Sequence, residues 1–427
     1  MNLPLYIASR ISKSSTGGYS GTIIKIAIAS IALSVAIMIL STSVINGFKS
    51  GISDKIFGFW GNIHITDTRI NRSFELEPIF YNQATIDSIM SISALAYVDT
   101  RKGSSDKEQH TRGGVKDISP FITLPAMINR ENRLEGIILK GINAEYNWSN
   151  FERYLKQGSF PDLSDSIPSR EILVSEQTAN RLKLKIHDKI VLHFVQDRKS
   201  IKREMRVSGL YRTGLEIYDK RFAFMDIKLL QTVLGWDQNQ IGGYEVFLDN
   251  IKDAIPIADY IYEMILPPHL YAETIQEKFS SEFEWLELQN INESILLILM
   301  ILVSIINMST AILILILERT KMVGVLKALG LKDWGIRKIF IYNALWIMSI
   351  ALVVGNILGI GIGLIQKHTG FLKLEEKNYY LSEVPIKFDP GSILLINIGA
   401  IVIIGLVMIL PTYLVTRLSP IKILRFE

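Results

Sequence analysis

Six histidines and 42 acidic side chains are the raw material for chemistry in this chain of 427 residues, which has no cysteine. The histidines are His64, His110, His187, His193, His269 and His368. None falls in an H-E-x-x-H arrangement, where two imidazoles one helical turn apart can hold zinc. His187 and His193 merely flank a predicted strand. Without cysteine there is no thiolate for a metal or for nucleophilic attack, no disulfide and no thiol to carry lipid. No G-x-S-x-G elbow exists for an acyl-transfer serine. Gly330 and Gly335 have the glycine spacing of a phosphate-binding loop, but Ile336-Arg337 stands where Lys-Ser/Thr is needed. The chain therefore cannot bind and hydrolyse ATP by that route. No catalytic residue, no metal ligand and no cofactor is expected in it.

The most informative segment is Glu318–Gly330. Arg319–Leu329 can form about three helical turns, with Gly330 as a C-terminal stop and Asp333 as cap of the next helix. Val323, Leu326 and Leu329 are expected to share a face, with Met322 and Val325 beside it; Arg319, Lys321 and Lys327 supply charge. Such a helix suits docking into a groove of a soluble partner. It suits equally well a position at the surface of acidic lipid. Spacing alone leaves the two level.

The elements that must position this segment are legible in the hydropathy. The chain is 48% hydrophobic yet 21% charged, so the apolar residues must be segregated. Four apolar blocks, Ile23–Val44, Ser294–Leu317, Ile339–Ile365 and Ile393–Val415, carry a single charge between them, Lys25. Each exceeds the roughly 20 residues that cross a bilayer as a helix. The first lacks a clear cleavage site and is expected to be an uncleaved anchor. The predicted fold is an α-helical membrane protein with four transmembrane helices and a large α+β extracytoplasmic domain between the first two.

Orientation follows from lysine and arginine in short loops. The loop 318–338 carries Arg319, Lys321, Lys327, Lys332, Arg337 and Lys338 against Glu318 and Asp333. Arg10, Lys13, Arg417, Lys422 and Arg425 mark both termini, while 366–390 is balanced. The expected order is an interfacial helix within 1–22, spans at 23–45, 291–317, 339–365 and 393–415, and an external domain at 46–290. The loop 318–338 and the tail 416–427 are cytoplasmic, and 366–392 is a short external loop. In the domain, Asn62–Thr66, Gly136–Lys140, Glu171–Val174, Lys189–His193, Arg206–Leu210 and Tyr244–Leu248 read as strands. Gln83–Ile92, Glu176–Leu182 and Asp253–Leu266 have helical spacing. These imply α+β, divided into two subdomains. Arg101–Asp117, polar and glycine-containing, reads as a mobile surface loop. The net charge of +4, with no basic run, gives no reason to expect nucleic acid.

Glu318, Arg319, Val325-Leu326-Lys327, Leu329 and Gly330 resemble the E-[KR]-R-x-x-I-x-x-L-[KR]-x-[ML]-G signature of FtsX/MacB-type ABC permeases. Thr320 replaces the second basic residue. The resemblance covers nearly the whole chain and looks strongest to the lipoprotein-releasing (Lol) permeases. Ile7–Arg10 looks like their I-A-x-R start. Val44–Phe48, then Ile56–Gly58 and His64-Ile65, looks like V-M-N-G-F, I-L-G and H-[VI]. Val207–Gly214, Tyr218-Asp219 and Ala223-Phe224 resemble V-x-G-x-[FY]-x-T-G, Y-D and A-[FY], and Ser419–Glu427 resembles the family's ending.

The resemblance implies a non-catalytic subunit of the inner membrane, with both termini cytoplasmic and Glu318–Gly330 as the helix that couples to an ATPase. It implies a homodimeric ABC ATPase that holds ATP and Mg, a second copy or a related permease, lipoprotein substrates, membrane lipid and a periplasmic lipoprotein carrier. Val195–Arg203, short and proline-free, departs from the proline-rich hairpin that hooks that carrier. The third span carries Gly355, Gly359, Gly361 and Gly363, two overlapping G-x-x-x-G spacings that allow close helix contact. Val44, Ile45, Phe48 and Ile52 are candidate walls of an acyl-chain cavity, with lipid or core packing as the alternative. A MacB-like efflux permease and an FtsX-like signal relay to cell-wall hydrolases are the rival readings.

Overall fold

The computed structural model describes residues 3–14, 19–69, 77–98, 108–130, 133–165, 167–196 and 199–413. The closing run Ser419–Glu427, the basic tail and the end of the fourth apolar block lie outside them. Helices α1 (Leu3–Ser14), α2 (Tyr19–Trp60), α3 (Ser280–Glu318), α4 (Thr320–Ala328), α5 (Asp333–Thr369) and α6 (Pro390–Val407) carry the apolar blocks and what joins them. Among the described residues, four helices are long and apolar enough to cross a membrane. In lipid an uncharged Ile/Leu/Met run has no alternative to helix, because only the helix satisfies its own backbone.

The helix ends have local causes. Asp389 caps α6, accepting from Ser392 N at 2.9 Å, with Pro390 pre-set for the first turn. Gly370 ends α5 at φ +56°. Helix α2 runs to Trp60, well past the apolar block, and stops at Gly61, where φ is +73°.

The chain divides into two compact units. One comprises 1–51, 285–374 and 383–427; the other comprises 52–284 and 375–382. In the helical unit, Ile31, Val35 and Ile39 of α2 are buried with Met308, Ile312 and Ile316 of α3, Phe340, Ile347 and Ala351 of α5, and Ala400 and Ile404 of α6. Polar ties run between these helices. Thr42 donates to Glu293 at 2.7 Å. Asn356 and Asn397 exchange amide bonds of 2.7 and 3.0 Å.

The second unit is built on a ten-stranded sheet. Its strands are β1 (Ile63–Asp67), β2 (Val115–Arg130), β3 (Arg133–Ile142), β4 (Leu155–Gly158), β5 (Glu171–Ser175), β6 (Lys189–Gln196), β7 (Lys199–Tyr211), β8 (Phe222–Asp226), β9 (Gly243–Leu248) and β10 (Leu270–Thr274). The spatial order is β10-β1-β9-β2-β3-β8-β5-β7-β4, with β6 pairing both β7 and β2. Two neighbours are parallel, β3 with β8 and β5 with β7; the other pairs are antiparallel. Every residue of β1, β8 and β9 is buried, so their polar members His64, Thr66, Asp67, Asp226 and Glu245 are buried too and need partners.

Two expectations need correction. Arg101–Asp117 is not loop throughout: Gln109–His110 pairs with Ala96–Tyr97, and Val115–Asp117 opens β2. Residues 101–107 of that stretch lie outside the described residues. Asp333 is not the cap of α5. Lys332 occupies that position without a side-chain bond, and Asp333, the first helical residue, instead holds Lys327 Nζ at 2.8 Å.

Candidate functional site

Glu318 ends α3, and Arg319, at φ −97° and ψ 20°, breaks the helix before α4 begins. Gly330, at φ +88°, then lets the chain turn, with Leu331 N donating to Leu326 O at 3.0 Å. The face of α4 that packs is Met322, Val323 and Leu326. Val323 is fully buried, and Met322 and Leu326 pack beside Ile7, Ala8, Leu331, Ile339 and Tyr342. The expected face was different. Leu329 is 79% exposed and Val325 48% exposed. One residue is 100° around a helix, so Val325 and Leu329, four apart, form an outward apolar pair. Lys321 and Glu318 are exposed as well. The segment thus has one face welded to α1 and α5 and a second apolar face left over.

Gly355, Gly359 and Gly363 lie along the buried side of α5. A Cβ on Gly355 would sit 2.7 Å from Ala32 O and 2.8 Å from Val35 Cβ. One on Gly359 would lie 3.1 Å from Ala36 Cα and 3.2 Å from Ile39 Cβ. One on Gly363 would strike the Phe388 ring at 2.5 Å. Gly361 has nothing within 4 Å. Gly355 and Gly359 therefore set the seam between α5 and α2 (Ala32 to Ile39). Of the candidate cavity residues, Val44, Ile45 and Phe48 are half-buried and Ile52 is buried. The Phe48 ring lies 5.9 Å from Trp285.

One constellation escaped sequence reasoning. Lys140 of β3 and Glu245 of β9 are fully buried, 2.7 Å apart (Nζ to Oε1). His64 of β1, also buried, lies 3.6 Å from the same carboxylate oxygen. Lys140 donates to Phe59 O at 2.5 Å, and His64 Nε2 lies 2.9 Å from Trp60 O. These two carbonyls are among the last of α2, where the helix leaves acceptors without partners and favours positive charge. The ammonium is enclosed by the rings of Phe59, Trp60, Tyr146 and Phe224, at 5.0 to 5.6 Å from their centroids. The cluster is a buried C-terminal cap for the first long helix. Its signal in the sequence was one lysine in the otherwise apolar run Gly136–Ile142 and one glutamate inside an otherwise apolar strand.

Burial, with Lys278 Nζ 3.0 Å from Nδ1, pushes the His64 imidazole down from 6.5 to about 4, against the pull of Glu245. Burial also pushes the Glu245 carboxyl up, but Lys140 and His64 outweigh it and leave it below the ordinary carboxylate range. A depressed histidine is neutral in both folded and unfolded chains above 6.5. As pH falls from 6.5 towards 4, only the unfolded chain takes the proton, so stability is lost across that window. The loss is on the order of 3 kcal/mol for the imidazole alone. Unfolding of the full chain, followed by tryptophan fluorescence between those pH values, should show this slope in the native protein and a shallower one in His64→Gln. Equal slopes would remove His64 from the account.

The MacB-like periplasmic core domain family matches residues 26–256, and the FtsX-like permease C-terminal family matches 294–420. The lipoprotein-releasing system transmembrane protein LolC of Xylella fastidiosa (strain 9a5c) is 23% identical, over 96% of this chain and 95% of its own length. LolE of Haemophilus influenzae is 20% identical over 99% of both chains. Among solved structures, the extracellular domain of the ABC-type transporter YknZ from Gram-positive bacteria matches with a TM-score of 0.31 and 13% identity. It covers 50% of this chain and 99% of that one.

Proposed function

Because this chain belongs to the FtsX/MacB-type family of ABC transporter permeases, we propose that it is the membrane subunit of a lipoprotein-releasing complex. In this reading it sits in the inner membrane, with α1, α4 and both termini in the cytoplasm and the α/β unit outside. It pairs with a second permease and with an ATPase dimer that supplies ATP and Mg. The observation that carries the reading is end-to-end similarity, through both units, to proteins named for lipoprotein release.

The geometry supports a division of labour. The outward pair Val325 and Leu329, flanked by Lys321, offers the ATPase a small apolar knob with a charged rim. Motion delivered there reaches α1 and α5 through Met322, Val323 and Leu326, because packed side chains transmit displacement rather than absorb it. Exposing acyl chain to water costs about 0.8 kcal/mol per CH₂. An extracted lipid anchor therefore needs an apolar host during transfer, and Val44, Ile45, Phe48 and Ile52 are the proposed lining. The substrate leaves outward to a periplasmic carrier, and this chain performs no bond chemistry.

The test is depletion in the host, with acylated lipoproteins quantified in separated inner and outer membranes. Outer-membrane lipoproteins should accumulate in the inner membrane. Wild-type protein should reverse this, and Val325→Asp/Leu329→Asp should not. Both positions are exposed, so that variant should fold normally while coupling to ATP hydrolysis falls by about tenfold or more, the effect of a few kcal/mol lost at an interface anchor. An unchanged lipoprotein distribution on depletion would sink the lipoprotein reading.

A further inference from the structure

The stretch from Arg212 to Asp219 carries motif residues to which the proposed function gives no task. Asp219 is buried, and its carboxylate accepts from Thr213 N (3.0 Å), Thr213 Oγ1 (2.7 Å) and Gly214 N (2.9 Å). Thr213 Oγ1 accepts in turn from Leu215 N at 3.0 Å. Together these bonds lock a turn just beyond β7, with Gly214 at φ +78°. At this turn a Cβ would meet only the movable ends of Glu376 and Lys55, so it is the backbone conformation that calls for glycine, and an added methyl would push those two side chains aside. Arg212 Nη2 binds Glu376 Oε2, and Nη1 lies 3.4 Å from Glu176. Lys55 Nζ lies 4.0 Å from Glu376 Oε1 and donates to Tyr380 O at 2.7 Å. Each oxygen of one carboxylate thus faces its own cation.

Glu376 begins the helical turn Glu376–Tyr379. It belongs to Glu375–Ser382, which is part of the α/β unit, while Leu374 and Glu383 on either side belong to the helical unit. We propose that Arg212, Gly214 and Lys55 form a carboxylate socket whose ligand is this chain's own Glu376, mooring Glu375–Ser382 to the rest of the α/β unit. The locked turn presents Arg212, and Gly214 supplies the left-handed backbone it needs. The mooring is detachable. The Arg212 side chain is 47% exposed and that of Glu376 22%, so water and salt compete for both charges. The inference rests on no assumption about what the protein transports.

Hydrogen exchange of the full-length chain in lipid nanodiscs tests it. The amides of Asn378, Tyr379 and Tyr380 are bonded to Glu375 O or Glu376 O at 2.9 to 3.0 Å and should be protected. Glu376→Lys, which sets a third positive charge beside Arg212 and Lys55, should speed their exchange by about tenfold, as should Gly214→Ala; Glu376→Gln should do so by a few-fold. At about 1 M salt, where the Debye length falls to about 3 Å, wild-type exchange should rise as well. The variant Arg212→Glu/Glu376→Lys should exchange more slowly than either single variant, a coupling that general loss of structure would not produce. Protection of Ile172–Val174 in β5 serves as the control for an intact sheet. If Glu376→Lys exchanges like wild type, or the double variant is no slower than the singles while β5 stays protected, the socket does not hold this segment.

Discussion

Lys140→Met should destabilise the α/β unit by roughly 3–5 kcal/mol, the cost of leaving a buried charge without its partner. Methionine matches the length of the lysine stem and suits the aromatic cage, so lost volume contributes little. The cost falls on Glu245. Its carboxylate is fully buried, and after the substitution its nearest group is His64, neutral at physiological pH. The carbonyl of Phe59 also loses its donor. For a unit of this size the midpoint of thermal unfolding should fall by roughly 6–20 °C. The double variant Lys140→Met/Glu245→Leu should recover most of this, since apolar replacement of a whole buried pair is often neutral. The deficit that remains, about 1 kcal/mol, reports the uncapped end of α2. Thermal unfolding of the three full-length proteins in one detergent decides the matter. If the single variant costs less than about 1 kcal/mol, the ammonium is not the partner that keeps Glu245 ionised.

Much of the architecture was legible because it rests on period and hydropathy. The first three apolar blocks each lie within a long helix, as does the fourth as far as Thr412, and Glu176–Leu182 is helical over the expected residues. What stayed hidden was where helices continue without apolar support. Asn46, Gly47, Lys49, Ser50 and Gly51 resemble an exit from the membrane, yet the helix runs through them to Trp60. Glycines stand at 47, 51, 58 and 61, and of these four only Gly61 takes a positive φ. Nothing in composition separates it from the others, because the choice is made where Asn62 N meets Val246 O at 2.8 Å in the sheet. The strand β2 was concealed by Pro120 and Pro125, which remove ladder donors; it survives because β9, β3 and β6 all pair with it.

The candidate sites divide in the same way. Glu318–Gly330 was identifiable from local pattern. Its outward face was not, because α1 and α5 cover Met322, Val323 and Leu326, and that choice depends on residues more than three hundred positions away in the case of α1. Lys140 and Glu245 are about a hundred residues apart, and Arg212 and Glu376 are separated by 164. Single-sequence reasoning has no means of pairing charges over such distances. It can only flag a charge in an apolar strand as a group in need of a partner.

Gly355→Leu should disrupt the helical unit, while Gly361→Leu, six residues on, should leave it intact. The first Cβ alone would stand 2.7 Å from the carbonyl oxygen of Ala32. A backbone atom cannot swing aside as a side-chain tip can, so α2 and α5 must part. Separation forfeits contact along Ile31, Val35 and Ile39, and cores overpacked even by single methylenes lose about 1–3 kcal/mol. A leucine against backbone should exceed that range. Gly359→Ala should cost less, since its neighbours lie at 3.1 to 3.2 Å and need yield only a few tenths of an ångström. Gly361 has no neighbour within 4 Å, so leucine there finds open space. Heating scans of the purified variants in detergent should rank them Gly355→Leu, then Gly359→Ala, then Gly361→Leu, the last close to wild type. A second comparison localises the clash. Val35→Ala should ease Gly355→Ala, because it removes Cγ1, which would lie 3.0 Å from the new methyl, while the residue-35 Cβ stays at 2.8 Å. The relief should be partial, as the Ala32 carbonyl stays in place. If Gly361→Leu is as damaging as Gly355→Leu, or if Val35→Ala gives no relief, the glycines do not act through the seam with α2.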